Sequence, residues 1–248
     1  MAEIIIETEE RQAFRPSFIF WITVIMALLV FGGFGLTYWQ PMLSGTLPPL
    51  PPVVHIHGLV FFSWMVILII QSLLVNAGNV QLHRKLGKFG IGVGAAMLAV
   101  GALITVLFGR FQGANPTPDY HNLMYLSVIS LISFALLFFL AIRNVNHTDR
   151  HKRLIIFATM SLLAPGINRL YMVVFSMNDL PLLAMYLTVD ILVAAMLVFD
   201  WRSMSRIHAA SLIGAAVVFV PQLVRAPVVE SGTFAALCEL LGSIAYYR

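Results

Sequence analysis

Seven apolar stretches of near-spanning length follow one another along the chain, at about residues 18–39, 53–76, 88–108, 122–142, 154–175, 182–199 and 208–225. An α-helix needs about 20 mostly apolar residues to cross the hydrocarbon of a bilayer. The expectation is an all-α, polytopic membrane helix bundle of about seven transmembrane helices, one transmembrane domain over residues 1–248. Apolar residues make up 60% of the 248 positions and charged ones only 10%, a balance that would give a water-soluble domain an aggregating surface. The lipid bilayer is therefore the expected solvent, and any soluble domain would be tiny.

The polar stretch from Glu3 to Arg15 leads into a full-length apolar run with no Ala-x-Ala cleavage site after it, so the first span is expected to be retained. An inside N-terminus makes residues 1–17 a cytoplasmic tail and puts Arg11, Arg15, Arg84, Lys85, Lys88, Arg143, Arg150, Lys152, Arg153, Arg202 and Arg206 on the cytoplasmic side. Arg110, Arg225 and Arg248 are left opposite, the asymmetry the positive-inside rule requires. The net charge of +4 therefore reports orientation rather than nucleic-acid binding. Pro41, Pro48, Pro49, Pro51 and Pro52 predict a stiff, extended connector from Gln40 to Pro52. Pro165-Gly166 is expected to break or kink span five, and Pro221 span seven. The apolar segment Phe234 to Tyr247 is too short to span, so residues 232–248 read as an interfacial helix.

Cys238 is the single cysteine, which excludes an intrachain disulfide and a thiolate metal cluster; a metal or cofactor would have to use His, carboxylate or Met. No Gly-x-Gly-x-x-Gly or P-loop occurs, so nucleotide use would need a partner. Met26, Met97, Met160 and Met196 read as core or lipid-facing filler.

Ionisable groups inside spans are costly, so they mark the places to look for function. Toward the outer face, His55-Ile-His57-Gly58 opens span two, Asp119-Tyr120-His121-Asn122 opens span four, Asn168-Arg169 lies in span five and Asp190 in span six. Arg169 and Asp190 fall at similar depth on consecutive antiparallel helices, which predicts an ion pair or an anchor for an anionic substrate. His55 and His57 point about 200° apart on a helix, so only one faces a shared ligand. His57, followed by Gly58 and near Phe61, Phe62 and Trp64, is the inward candidate. On the cytoplasmic side, His83 precedes span three and His151 span five; taken singly, both read as part of basic, solvated loops.

Together the four histidines say more, because His57, His83, His121 and His151 place one each at the start of spans two to five, alternating between the two faces. Bis-imidazole ligation of a b-type heme needs two histidines at equal depth on facing helices. Gly87, Gly90, Gly92 and Gly94 remove bulk just after His83, which suits either a flat cofactor or close helix packing.

In these four positions the sequence resembles the transmembrane diheme b-type cytochromes. That resemblance covers residues 53–175 as a cofactor-binding four-helix core and implies heme pairs His57/His121 and His83/His151, with electrons passing from a cytoplasmic reductant to an outer acceptor. The phrases His55-Ile-His57-Gly58, Trp64, Gln71, His83-Arg84-Lys85-Leu86-Gly87 and His151-Lys152-Arg153-Leu154 also look like those of uncharacterised bacterial multi-pass membrane proteins, which implies a bacterial cytoplasmic membrane.

Three readings stay open. One is a b-type heme electron carrier or quinone-linked oxidoreductase subunit. A second is a membrane enzyme holding zinc, copper or iron through His55, His57, His121 and Asp190, with Arg169 orienting an anionic substrate. A third is an accessory subunit of a larger membrane complex with no cofactor.

Overall fold

A computed structural model of the protein describes residues 16–114, 117, 119–177 and 180–244. The expected cytoplasmic tail up to Arg15 and the terminal Tyr246, Tyr247 and Arg248 lie outside the described residues. No strand occurs among the described residues. The helices are α1 (Phe18–Phe34), α2 (Gln40–Leu43), α3 (Pro52–Asn76), α4 (Val80–Ala114), α5 (Tyr120–Arg143), α6 (Thr148–Met160), α7 (Ala164–Val174), α8 (Leu182–Met204), α9 (Ala209–Val229) and α10 (Gly232–Ile244). Six helical stretches are long and apolar enough to cross a bilayer, and α6 with α7, bent by 45°, makes a seventh. The chain is an integral membrane helix bundle.

Proline chemistry explains the two irregular spans. A π-helical turn, Gly35–Trp39, joins α1 to α2. It widens the backbone just where the ring of Pro41 would meet the carbonyl four residues back. The outer connector is consequently helical through Leu43 before it becomes irregular, a correction to the extended segment expected from Gln40. In span five the helix stops at Met160 and restarts at Ala164 with Pro165 in its first turn, as the missing N–H of proline dictates.

Several helices begin earlier or end later than hydropathy predicts. α4 starts at Val80, two turns before the expected boundary, with the Asn79 side chain accepting from the Leu82 N–H at 3.1 Å. α6 starts at Thr148, and α8 runs on to Met204. Charged side chains such as Arg84, Lys85 and Lys88 reach into the headgroup layer along their apolar stems without stopping a helix. His83 and His151 consequently belong to helices.

The chain packs α3 against α4, α4 against α5 and α5 against α6, while α1 closes on α3 and α7, and α9 lies on α5, α6 and α8. The half-span α6 is the centre, with every residue from Ile156 to Met160 buried. Met26, Met97, Met160 and Met196 are all core residues, at most 1% exposed. Trp64 pins three helices: its indole N–H donates to the Thr159 hydroxyl at 3.2 Å, and its ring meets Phe134 and Phe138 edge-on. α10 docks on α4 and α5, burying Phe234 and Cys238 beside Tyr120 and Met124.

Candidate functional site

A cavity of about 190 Å³ lies at the basic end of the bundle between α1, α3, α4, α5 and α6. Its walls are apolar, with Ile67, Leu68, Phe138, Ile142 and Ile155 among them, and its few polar groups include Gln71, His83, His151 and Lys152. Val75 and Ile91 line it and are 50% and 39% exposed at the bundle surface, so the cavity reaches the lipid-facing side. Gly87 and Gly90 form part of its wall, where a side chain would project into the space. A Cβ on Gly87 would already lie 3.2 Å from the Gln71 amide nitrogen.

Each histidine is held differently. His151 donates Nδ1–H to the Ala141 carbonyl at 2.9 Å. In the neutral imidazole that bond selects the tautomer whose Nε2 keeps its lone pair, the form in which imidazole binds a metal. His83 lies within electrostatic reach of His151, and its Nδ1 is buried without a partner. Gln71 spans the two walls by donating to the His83 carbonyl at 3.1 Å, while its own amide oxygen is buried and unpaired. The cavity thus collects unsatisfied acceptors beside two imidazoles.

The expected outer residues have partners of their own. His55 hydrogen-bonds the Tyr38 hydroxyl. His57 packs on Phe61 and lies within electrostatic reach of Arg169. His121 is exposed and meets Tyr120 and, across the bundle, Phe234. Among the described residues no three His, Cys, Asp or Glu side chains converge on a metal position. Arg169 and Asp190 form no ion pair among the described residues. The Arg169 guanidinium sits 4.3 Å over the Phe34 ring and donates to the Pro165 carbonyl, whereas Asp190 accepts from Gln222 at 2.9 Å. Similar depth did not make them neighbours, because the break before α7 resets the direction its side chains take.

The buried ion pair is elsewhere. Arg153 of α6 and Asp200 of α8 are 2% and 0% exposed, with Arg153 Nε 2.9 Å and 3.2 Å from the two carboxylate oxygens. Arg153 also donates to the Asp149 carbonyl at 2.8 Å. Asp200 accepts the backbone N–H of His208 at 3.2 Å. His208 in turn caps α9, its Nδ1 accepting from the Ala210 N–H at 3.0 Å. Burial, then the nearby Arg153 charge, holds this imidazole below its ordinary range. In the sequence Arg153 reads as a loop cation, and no pattern singles out Asp200. The available signal was a single carboxylate one residue past the expected end of span six, facing a basic cluster.

Geometry and fold together define a polytopic helical membrane protein with an imidazole-lined, apolar cavity at one face. Compared with known proteins, the chain matches no protein-family model, no curated protein and no solved structure.

Proposed function

We propose that this protein is a membrane redox carrier that binds a b-type heme in the basic-end cavity, where His83 and His151 would hold it. The observation that carries this reading is the shared cavity: two imidazoles from α4 and α6 line one apolar space, and His151 is held in its ligating tautomer. A flat macrocycle needs walls without bulk, which Gly87 and Gly90 provide; Lys152, paired with Asp149 at 2.6 Å, is the cation at the cavity that its carboxylates would meet. Bound there, the heme supplies one-electron chemistry. The chain's own part is to hold the ligands, exclude water with Ile67, Leu68 and Phe138, and set the local polarity.

A reduced-minus-oxidised absorption spectrum of detergent-purified protein, expressed with heme supplied, tests the reading. A b-type band is expected, lost in His83→Ala and in His151→Ala and retained in His57→Ala and His121→Ala. A wild-type protein without that band overturns it.

The unpaired Gln71 amide oxygen favours a second reading of the same cavity, a quinone-linked one. That oxygen and the free His151 Nε2 accept hydrogen bonds, so they complement the two hydroxyls of a hydroquinone arriving from the lipid. Saturable binding of a short-chain hydroquinone that weakens in Gln71→Leu supports it; equal binding by wild type and Gln71→Leu removes it.

A further inference from the structure

A second, smaller pocket of about 50 Å³ lies beside the bend of span five, and we propose that it binds a small monovalent cation. Its polar lining comes from Tyr125, Ser130 and Ser133 of α5, Ser161 at the bend, Tyr186 of α8 and Gln222 of α9.

What selects a cation is where the hydrogens go. The Ser161 hydroxyl donates to the Ala158 carbonyl at 2.7 Å, Ser133 to the Val217 carbonyl at 3.4 Å and Tyr125 to the Pro221 carbonyl at 2.6 Å. Gln222 donates its amide N–H to Asp190 at 2.9 Å. Each of these groups has directed its hydrogen into the backbone or to Asp190, so what it keeps is oxygen lone pairs. The Tyr186 hydroxyl is buried without a partner, so it needs an acceptor as well, which a water held beside the ion supplies. The other groups are completed only by a guest that donates or is positive.

Broken backbone adds to this. α6 ends at Met160, which lines the pocket, and the last carbonyls of a helix form the negative end of its dipole. Pro165 carries no N–H, so the carbonyl of Ser161, at the bend and in the pocket wall, loses its usual helical donor. Interrupted membrane helices present carbonyls of this kind to small cations.

The lining holds no carboxylate, which disfavours a divalent ion and leaves neutral hard oxygens suited to a monovalent one. Behind it, the Asp190 carboxylate accepts from Gln222, and Arg225 donates to the Asn122 side chain. The space admits an ion with water beside it, since about 10–15 Å³ of such volume holds one water molecule. None of this rests on the heme or quinone reading.

The test is thermal melting of purified protein in sodium, potassium or ammonium chloride against N-methylglucamine chloride at equal ionic strength. One small cation is expected to raise the melting temperature saturably. Ser161→Ala and Gln222→Leu are expected to weaken its half-saturating concentration roughly tenfold, about the worth of one lost ligand. Ser127→Ala is the control, since Ser127 bonds only the Leu123 carbonyl of its own helix. Sodium NMR line broadening by the wild-type protein, reversed by the competing ion, reads the site directly even where a variant fails to fold. Identical melting in all four salts without line broadening, or an unchanged dependence in folded Ser161→Ala and Gln222→Leu, overturns the proposal and leaves a pocket that holds water only.

Discussion

Arg153 and Asp200 tie the central half-span α6 to the end of α8 through a pair of charges that are both out of contact with solvent. Removing one partner strands the other in a low-dielectric interior, which typically costs about 3–5 kcal/mol, whereas replacing both with apolar groups is often close to neutral. Arg153→Met and Asp200→Leu should each lower the melting temperature sharply. The double variant should recover most of the loss. Fluorescence-detected thermostability of the four proteins measures this, and additive losses would show that the two side chains act separately.

His208 predicts a pH dependence at the same end of the bundle. Its Nδ1 must be unprotonated to accept the Ala210 N–H, and burial lowers its affinity for a proton in the folded state. The unfolded chain titrates at the ordinary histidine value of about 6.5, so the unfolded state binds the proton first. Stability is therefore full above about pH 6.5 and falls as the pH drops toward the lowered folded value. Melting curves at stepped pH should show the decline in wild type and a weaker one in His208→Asn, which keeps a capping side chain. The cap itself is worth about 1 kcal/mol.

The number of spans was legible because hydropathy over about 20 residues depends on composition alone. Helix ends were not, since Arg84, Lys85 and Lys88 look like loop residues in a hydropathy profile while continuing α4 in space. Among candidate site residues, alternation between faces points to His83 and His151, and both line the basic-end cavity. Gln71 was visible only as part of a phrase, because no local pattern tells that its amide crosses to the backbone of the next helix. Arg169 and Asp190 show the opposite failure: rise per residue gives depth, but facing depends on the rotation that the break at Ser161 to Leu163 imposes.

Close helix packing at the glycine-rich face of α4 gives a third prediction. A Cβ on Gly94 would come within 2.4 Å of the Phe138 ring, so no side chain fits without displacing it. Gly94→Ala should cost about 1–3 kcal/mol by overpacking. Adding Phe138→Leu should return part of that by removing the ring. Melting of the single and double variants decides it, and a Gly94→Ala protein as stable as wild type would mean that the contact relaxes without cost.

Two turns earlier on the same helix, glycine serves the cavity. Gly87 lines the space between His83 and Gln71, whereas an added Cβ on Gly92, which is exposed, would meet nothing within 4 Å. Gly87→Leu therefore fills the cavity from its wall and Gly92→Leu adds the same volume toward lipid. With heme bound at His83 and His151, heme per protein, measured as the pyridine hemochrome, should fall several-fold in Gly87→Leu and stay at the wild-type level in Gly92→Leu. Both variants should elute from size exclusion as the wild type does, because neither position packs against a core ring. Equal heme content in the two variants would place the cofactor outside this cavity, and with it the ligand roles of His83 and His151.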